Sequence, residues 1–387
     1  MKKKIIYLSH WRFPSEKTMS PLIMKTCEGF IKEGFLVELW IPERIYHDFF
    51  GSDPFAKHNI STRFPIHKLP SLKFVEKFGK AGFILMVAIF NVTVFFRLLR
   101  ERKSNVPLII YGHDIRDFIL PSLLGLPLFI EIHDFYESSI RFLNRMVLKN
   151  TSGLIVTNTF KLKAINKRYG FSKDRMIHQP NAVTPEMFDI PISKKEAREK
   201  LGLPLDVKII LYTGHLFSWK GVYTLAEAAL YMPEDTRIYF VGGMKEDRET
   251  LKKFVNDKKL PRIIFLPHQE HVKIPLFQKS ADVLVLPNTA KEKASKYETS
   301  PVKLFEYMAS GIPIVASNIP SIREIVSPKE VFFFIPDDPK SLAKTVQEAT
   351  HNFDKIKERT DASRILARSF SWPSRAKAIS ALIRRFA

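Results

Sequence analysis

Short apolar runs alternate with helical patterns along nearly the whole chain. The runs are too short for helices and lie between polar or glycine-containing segments, so they predict buried parallel strands. One series of predicted strands comprises Ile5–Leu8, Leu36–Ile41, Leu108–Tyr111, Leu128–Ile132 and Gly153–Thr157. A second series comprises Lys208–Thr213, Thr236–Val241, Arg262–Leu266, Val283–Pro287 and Ile312–Ala316. Helical patterns lie between them, among them Leu22–Glu33, Val222–Leu230 and Lys340–His351.

Two such series predict two doubly wound α/β domains with Rossmann-like sheets. The boundary is expected near residues 181–193, where prolines interrupt any periodicity. We therefore predict an N-terminal domain over 1–185 and a C-terminal domain over 190–369. Ligands of such sheets bind beyond the carboxyl ends of the strands, so two domains facing each other would enclose a central cleft.

The segment 298–313, which reads ETSPVKLFEYMASGIP, predicts a short helix with recognisable ends. Ser300 suits the N-cap and Pro301 suits the first helical position. Gly311 suits the stop, with a proline just beyond it. Glu298 would then lie in the loop before the helix, and Glu306 on the helix itself.

This predicted helix start is suited to an anion. The free amides of Val302 and Lys303 would point outward at the positive end of the helix dipole, where a diphosphate binds well. The carboxylates of Glu298 and Glu306 could accept hydrogen bonds from sugar hydroxyls on either side of that diphosphate. The segment therefore predicts a site for a nucleotide-sugar.

A second candidate element, YTGHLFSWKGV at 212–222, follows a predicted strand and precedes a predicted helix. Gly214 lets the backbone turn tightly. Lys220 is placed to reach a phosphate from the loop.

These two elements together resemble the donor site of retaining glycosyltransferases of family 4, which have the GT-B fold. The E-x7-E spacing of Glu298 and Glu306, followed by KLFEYMASGIPIVAS, carries most of the resemblance. The Gly214 to Lys220 element is similar to the G-x-x-x-x-x-K-G element of that family. The resemblance covers nearly all of the chain in order, and it is specific in the second domain.

The resemblance implies a role for each matching residue. Lys220 would contact the donor diphosphate, Glu298 would hold the hydroxyls of the donor sugar, and Glu306 would bind the ribose. His215 stands where the family often has an arginine. The donor-binding candidates are Gly214, His215, Lys220, Glu298, Pro301, Val302, Lys303 and Glu306. The family retains anomeric configuration without a catalytic metal, and the chain contains no D-x-D motif, so we expect no cofactor or metal.

Histidines follow two neighbouring predicted strands of the first domain. His133, followed by Asp134, resembles the family histidine that orients the donor sugar and is therefore a catalytic candidate. His113, followed by Asp114, ends the strand before it. The loop after the first strand lacks the glycine pair of many family members and is rich in aromatic and basic groups. The acceptor-side candidates are His10, Trp11, Arg12 and His113.

The chain carries a formal net charge of +21. Residues 1–190 hold 28 basic and 17 acidic side chains, which leaves 33 and 23 for residues 191–387, so the excess is spread over the chain. Phosphate substrates, an anionic membrane or nucleic acid would suit this charge. Nucleic acid is not the expected partner, because the chain shows no basic arm or aromatic-basic recognition motif. The single cysteine, Cys27, fits a reducing cytoplasm.

The segment 81–96, AGFILMVAIFNVTVFF, is apolar on nearly every face. Lysines precede it (Lys68, Lys73, Lys77 and Lys80), and further basic residues follow it (Arg97, Arg100, Arg102 and Lys103). It is short for a spanning helix, which needs about 20 apolar residues. Three interpretations stay open: a buried helix of the sheet domain, a surface lying on a membrane, and a true span. We predict reversible attachment to anionic bilayers by charge, without insertion.

The predicted function is sugar transfer from a UDP- or GDP-linked donor to a glycan or lipid-linked saccharide, in cell-surface polysaccharide or glycolipid synthesis. The expected location is the cytoplasm, with peripheral contact at the inner membrane face. By the resemblance, the final segment 370–387 forms a serine-capped helix that crosses back to the first domain; otherwise it stays on its own domain. Two alternative functions remain: another GT-B enzyme, such as an epimerase or phosphorylase, and a non-catalytic basic protein that binds membrane or nucleic acid.

Overall fold

The computed structural model describes residues 2–15, 19–44, 53–73, 75–133 and 141–387, without the side chains of Glu76 and Lys77. The chain divides into two compact units. Unit 1 consists of Met1–Pro180 and Trp372–Ala387, and unit 2 of Asn181–Ser371.

Unit 1 is built on a parallel sheet. Its strands within the described residues are β1 Lys4–Leu8, β2 Leu36–Pro42, β3 Ile66–Leu69, β4 Leu108–Gly112, β5 Leu128–Ile132, β6 Gly153–Val156 and β7 Met176–His178. Their order across the sheet is β3-β2-β1-β4-β5-β6-β7. The central strands β1, β4 and β5 are buried along nearly their whole length, because helices cover both faces of the sheet.

The helices of unit 1 up to residue 180 that fall in the described part of the chain are α1 Met19–Lys32, α2 Pro54–Lys57, α3 Gly79–Glu101, α4 Arg141–Lys149 and α5 Thr159–Tyr169. Two hydrophobic clusters lie on opposite sides of the sheet. One contains Phe30 of α1, and the other contains Phe90 and Val94 of α3.

Unit 2, whose residues 181–371 are all described, contains a second parallel sheet. Its strands are β8 Lys208–Thr213, β9 Thr236–Val241, β10 Ile263–Leu266, β11 Val283–Leu286, β12 Ile314–Ser317 and β13 Phe332–Phe334. Their order is β10-β9-β8-β11-β12-β13. Its helices are α6 Pro185–Phe188, α7 Lys194–Leu201, α8 Val222–Ala228, α9 Lys245–Asp257, α10 Ile274–Ser280, α11 Val302–Ser310, α12 Pro320–Arg323, α13 Pro339–His351 and α14 Phe353–Ser369.

The two strand series predicted from the apolar runs are present, with small errors at their ends. The predicted strand 312–316 begins two residues late, at Ile314. The strands β3, β7 and β13 were not predicted. They are three or four residues long and lie toward the sheet edges, where the apolar signal is short.

The last helix, α15 Trp372–Phe386, belongs to unit 1 and packs on α1. A Cβ atom on Gly29 of α1 would lie 2.5 Å from the Cβ of Ala376, so the two helices meet where one has no side chain. Arg384 near the end of α15 donates to the backbone oxygen of Glu33 just after α1. The close approach of the helix backbones depends on this glycine.

Helix α3 buries only one of its faces. Its 23 residues make it long and apolar enough to cross a membrane. Phe90, Val94 and Leu98 are buried against the sheet, and Asn91 donates to the backbone oxygens of Val87 and Arg116. The opposite face carries exposed apolar side chains. The helix is therefore neither fully buried in unit 1 nor free of polar contacts with it.

Candidate functional site

The turn that carries Lys220 starts from β8 and is held by two close contacts. The hydroxyl of the fully buried Tyr212 donates to the backbone oxygen of His215 at 2.6 Å. Gly221, at a φ of 73°, ends the 3-10 turn Ser218–Lys220, and a Cβ at this glycine would lie 2.0 Å from the oxygen of Pro287. Only glycine fits there, so Lys220 is held close to the chain that leaves β11.

The ammonium group of Lys220 lies over an aromatic ring. Its Nζ is 3.7 Å from the centroid of the Trp219 ring. Within the described residues, Lys220 has no hydrogen bond or ion pair with a side chain. Burial lowers the pKa of Lys220 to about 7.

Lys303, on the first turn of α11, has a similar environment. Its Nζ lies 3.6 Å from the centroid of the Tyr212 ring, is buried, and has no hydrogen-bond partner among the described residues. A Cβ on Gly214 would lie 3.1 Å from this Nζ, so the lysine passes beside the glycine. Burial lowers the pKa of Lys303 well below its usual range, and the nearby Lys220 lowers it further.

The start of α11 corrects the predicted capping. The helix begins at Val302, so Pro301 is the N-cap residue and not the first helical residue. Ser300 does not cap the helix; its Oγ accepts a hydrogen bond from the Asn181 amide, and its backbone oxygen accepts one from the Asn181 side chain. The amides of Val302 and Lys303 remain in the first turn of the helix, where no intrahelical acceptor exists.

Glu298 is not in a loop as predicted. It is the last residue of a π-helical turn, Ala294–Glu298, and its Oε1 lies 3.5 Å from Nζ of Lys293. This turn packs against the Ser218–Lys220 turn. The fold of unit 2 therefore brings the turns that carry Glu298 and Lys220 side by side. π-Helical turns are frequently found at functional sites.

Glu306 lies on α11 as predicted, and a histidine that the sequence did not single out contacts it. Its Oε1 is 2.9 Å from Nε2 of His271, which lies in the 3-10 turn His271–Lys273. The hydrogen bond to Glu306 raises the pKa of His271 above its usual value. A ribose hydroxyl at Glu306 would have to share the carboxylate with this imidazole.

His215 is exposed and stacks on Phe217 with ring centroids 5.0 Å apart. Partial desolvation by the surrounding protein lowers its pKa, and the nearby Lys303 and Lys220 lower it further. The histidine that replaces the family arginine is therefore biased toward its neutral form. It is a weaker cationic contact for a phosphate than an arginine would be.

In unit 1, His133 is held by a buried network. Its Nε2 contacts Glu131 Oε1, and the other Glu131 oxygen accepts a hydrogen bond from the Tyr111 hydroxyl at 2.7 Å. Arg375 of α15 donates to the same Glu131 carboxylate. Burial opposes ionisation of Glu131, but Arg375 and His133 outweigh it and lower the pKa of Glu131.

His113 lies near this network, with its ring centroid 6.3 Å from that of His133. Its Nδ1 is 3.2 Å from the Tyr7 hydroxyl, while its buried Nε2 has no partner among the described residues. Burial lowers the pKa of His113 to about 3, so the ring is neutral. Asp134, predicted beside His133, lies outside the described residues.

The predicted acceptor-side loop begins with a buried pair. Nδ1 of His10 lies 2.7 Å from Asp117 Oδ1, and the backbone amide of His10 donates to the same carboxylate. Burial raises the pKa of Asp117, against the effect of His10. Trp11 stacks on His10, and Phe83 of α3 meets His10 edge-on at 5.4 Å. Arg12 is half-buried beside them, and residues 16–18 of the loop lie outside the described residues.

The donor-side candidates of unit 2 therefore lie together at the carboxyl edge of its sheet, and the histidines of unit 1 lie together at the carboxyl edge of the other. Several contributing residues were missed: Trp219, Tyr212, His271, Glu131, Arg375 and Asp117. Most are single polar or aromatic residues in apolar surroundings, and only Trp219 had a sequence signal, its place beside Lys220.

Comparison with known proteins supports the resemblance drawn from the motifs. Residues 193–364 match the family described as Glycosyl transferases group 1. The chain is 24% identical over 248 residues to a D-inositol 3-phosphate glycosyltransferase from Xylanimonas cellulosilytica, covering 60% of this chain and 57% of that one. It is 28% identical over 244 residues to the UDP-Gal:alpha-D-GlcNAc-diphosphoundecaprenol alpha-1,3-galactosyltransferase of Escherichia coli, covering 58% and 60%. The matches span less than two thirds of these relatives.

The fold extends the likeness to the whole chain. The Anabaena protein HepE in complex with UDP and glucose has a TM-score of 0.74 and 17% identity, covering 99% of this chain and 100% of that one. The predicted GT-B fold, with two Rossmann-like parallel sheets, is confirmed. The resemblance to group 1 glycosyltransferases is confirmed as well, and unit 2 carries the domain that matches this family.

Proposed function

We propose that the chain is a retaining, metal-independent glycosyltransferase that moves a sugar from a UDP- or GDP-linked donor to a glycan or lipid-linked saccharide. The observation that carries this proposal is the pair of lysines, Lys220 and Lys303, whose ammonium groups have no carboxylate partner among the described residues. They lie beside the N-terminus of α11, at the carboxyl edge of a parallel sheet. Two cations and free amides form a site for a diphosphate.

The proposed chemistry is a substitution at the anomeric carbon. The bond from this carbon to the diphosphate oxygen breaks, and a bond to the acceptor hydroxyl oxygen forms on the same face. The hydroxyl proton passes to an oxygen of the departing diphosphate. Lys220 and the first amides of α11 stabilise the charge that develops on the leaving group, which accelerates the reaction more than binding the intact donor does.

The remaining candidates hold the substrates. Glu298 binds hydroxyls of the donor sugar and Glu306 binds the ribose, as the family resemblance implies. His133, fixed by Glu131, orients the sugar. The acceptor-side group is His10, Trp11, Arg12 and His113.

We further propose that the enzyme works in the cytoplasm at the inner membrane face, in polysaccharide or glycolipid synthesis. The exposed apolar face of α3 supports this. Its members are Ile84, Leu85, Val92, Phe96 and Leu99, and Phe78 lies just before the helix. The galactosyltransferase relative acts on a lipid-linked saccharide, as its name states.

Because α3 has this exposed apolar face, we propose that the protein attaches to anionic membranes by charge and also by insertion of the apolar side chains of α3. Lys80 and Arg100 stand exposed near opposite ends of the helix. A helix lying in the plane of an anionic surface brings both to the same layer of lipid headgroups, whereas a spanning orientation would place them in opposite leaflets. Spanning would also strip Asn91 and Phe90 from their contacts with unit 1.

Nucleotide release tests the catalytic proposal. A panel of UDP- and GDP-sugars is first screened by thermal shift, where a donor at about 100 times its dissociation constant should stabilise the protein by about 2.7 kcal/mol. A stabilising donor should then release nucleoside diphosphate when an acceptor saccharide is added, with retained configuration in the product. Donor isomerisation without transfer would instead identify an epimerase. A salt-dependent shift of DNA without donor binding would favour a nucleic-acid protein.

Vesicle sedimentation tests the membrane proposal. Wild type should bind vesicles containing phosphatidylglycerol more tightly than phosphatidylcholine vesicles. The variant Leu85→Ser/Phe96→Ser should lose about tenfold or more in affinity, since each buried side chain contributes about 1.5–3 kcal/mol. The control is Phe353→Ser/Ile365→Ser in unit 2, which alters apolar residues that are even more exposed and should bind as wild type. Equal binding by both variants would disprove insertion through α3.

A further inference from the structure

We propose that Trp219 and Tyr212 are positioning residues that hold the Lys220 and Lys303 ammonium groups on their ring faces, where an ion pair would otherwise be expected. This inference rests on the proposed function. The distances from Nζ to the ring centroids are 3.7 Å at Lys220 and 3.6 Å at Lys303. Both fall well inside the range of a cation–π contact, and the rings are close enough to direct each ammonium group.

Both rings are themselves fixed. Trp219 stacks on Phe217 with an interplanar angle of 16°, and Phe217 stacks on His215 with an angle of 7°. The ring of Tyr212 is fully buried, and its hydroxyl donates to the backbone oxygen of the same His215. The backbone and side chain of His215 therefore link the supports of the two lysines. A displacement of either ring would move the cation that lies on it.

An aromatic ring face, unlike a carboxylate, can hold an ammonium group without occupying its N–H donors. A carboxylate would accept hydrogen bonds from the ammonium group and would compete with a diphosphate for it. An aromatic face attracts the cation through its quadrupole but leaves the N–H groups free to donate elsewhere. The two lysines are thus held in place while their hydrogen-bonding capacity remains available to the donor.

This arrangement couples donor binding to proton uptake. Without a counterion, burial lowers the pKa of Lys220 to about 7, and that of Lys303 falls well below its usual value. The ring faces favour the charged form and oppose this shift in part, so near neutral pH Lys220 in the empty site is partly protonated. A bound diphosphate favours the charged forms and raises both pKa values, so each binding event should take protons from solution. Below about pH 6 Lys220 is already protonated and contributes no uptake.

The other charged groups around the lysines do not cancel this effect. Glu306 raises the pKa of Lys303, but burial and Lys220 act more strongly in the opposite direction. The Glu306 carboxylate is also hydrogen-bonded to His271. The pKa of His215 is raised by Asp247 and lowered by His268, and overall it lies below its usual value. The imidazole of His215 is therefore biased toward its neutral form. The turn that carries Glu298 packs beside the Lys220 turn, and Oε1 of Glu298 lies 3.5 Å from Nζ of Lys293.

The first experiment measures the lysines without any ligand. The protein is labelled with lysine carrying carbon-13 at Cε, and the signals are assigned by their loss in Lys220→Arg and Lys303→Arg. The Lys220 signal should titrate near pH 7, and that of Lys303 well below the ordinary lysine value of about 10.4. Titration of both at the ordinary value would disprove the coupling of donor binding to proton uptake, whatever the protein binds.

The second experiment measures proton uptake by calorimetry, with UDP-glucose and GDP-mannose as probes. The diphosphate of these probes does not titrate between about pH 5.5 and about pH 8.5, so linked protons come from the protein. The heat of binding is compared in buffers of different ionisation enthalpy. At about pH 8.5 the protein should take up about one or more protons for each bound probe, and at about pH 5.5 it should take up fewer. Binding without uptake at the higher pH would overturn the inference and leave the proposed function standing.

Variants of Trp219 separate positioning from general stability. Trp219→Phe keeps a ring under Lys220 and should bind the probe within about threefold of wild type, with the same pH dependence. Trp219→Ser should bind about tenfold more weakly and should show an altered pH profile. The control is Tyr231→Ser, which removes the ring under Lys340 at 5.5 Å, away from the site, and should change neither property.

The outcomes distinguish the inference from the proposed function. If Lys220 titrates near pH 7 but no nucleotide-sugar binds, the lysine environment is correct and the transferase proposal fails. If the probe binds and Trp219→Ser matches wild type in affinity and pH profile, the ring does not position the lysine. If Trp219→Phe behaves as Trp219→Ser, the indole acts by shape and not through its aromatic face.

Discussion

The side chains at the carboxyl ends of the two sheets are organised in opposite ways. In unit 1, His133 and Arg375 both bond to Glu131, and His10 bonds to Asp117, so charges are matched within the protein. In unit 2, Lys220 and Lys303 have aromatic rings in place of counterions. A matched network has a fixed geometry before substrate arrives. An unmatched pair of cations gains its counterion only when an anion binds.

This difference predicts where a substitution damages folding and where it damages activity. Removing a member of the matched network leaves a buried charge alone, which destabilises the protein. Removing an unmatched cation leaves no orphan, so the protein stays folded and loses function. The four substitutions below test this contrast in order of expected effect.

The largest expected effect follows from Arg375→Met. Glu131 would remain fully buried without its guanidinium partner, which typically costs about 3–5 kcal/mol of folding free energy. Urea unfolding measures this loss. The control is Arg384→Met on the same helix, whose ion pair with Glu33 is half exposed and should contribute under about 1 kcal/mol. If both variants lose similar amounts of folding free energy, the buried pair of Arg375 and Glu131 contributes no more to stability than the exposed pair does.

The same pair predicts a pH dependence of stability. The pKa of Glu131 is lower in the folded protein than in the unfolded chain. Its contribution to stability is therefore present above the unfolded pKa of about 4.3 and is lost as the pH falls toward the folded pKa. In Arg375→Met, the free energy of unfolding should therefore fall less steeply with decreasing pH than in wild type, as measured by urea unfolding at several pH values.

Lys220→Ala should act on catalysis and not on folding. Loss of a group that stabilises the leaving diphosphate should lower turnover by roughly 10²–10³. Turnover is measured as nucleotide release with acceptor present, and the melting temperature checks the fold. Lys340→Ala, which removes a lysine away from the site, serves as control. Turnover close to wild type would mean that another group, such as Lys303, neutralises the diphosphate.

Glu306→Gln should weaken nucleotide binding by roughly 1.5–3 kcal/mol, because one charged hydrogen bond to a hydroxyl is lost. Calorimetry with the nucleoside diphosphate measures this change. Glu270→Gln is the matched control, since that carboxylate is exposed and pairs only loosely with Lys273 at 3.9 Å. An affinity equal to wild type would exclude Glu306 from the ribose role.

His215→Arg should have the smallest effect and the opposite sign. A permanent charge at this position would add a cation to the diphosphate site, as in many members of the family. Because the position is exposed, the gain should be about two- to fivefold in nucleotide affinity. His268→Arg, on the neighbouring loop, is the control. If both variants bind equally well, the gain reflects overall charge and not a contact at position 215.

Local sequence patterns predicted most of the strands and the elements that carry the donor-side candidates. They failed at the shortest edge strands, where three or four residues carry little periodicity. They also placed the start of α11 one residue early, because serine is a preferred N-cap residue and proline a preferred first helical residue by composition. The side chain of Asn181 decides the matter by binding Ser300 from 119 residues away.

Helix α3 shows the same limit at a larger scale. Its sequence is apolar on almost every face, so no periodicity indicates which side meets the protein. Packing against β-strands covers Phe90, Val94 and Leu98, and leaves Phe96 more than half exposed. The membrane-facing candidate surface is therefore a product of tertiary packing.

By itself the sequence determined the two strand-helix series, the glycines of the tight turns and the presence of Lys220, Lys303 and Glu306 in their elements, but not the helical turn that carries Glu298. These features depend on residues close together in the chain. Only the tertiary structure decided which charges are paired. Glu131 and Arg375 meet across 244 residues, and Lys303 finds the ring of Tyr212 instead of a carboxylate. Such contacts depend on how the strands and helices pack, and the local periodicity of the sequence does not predict them.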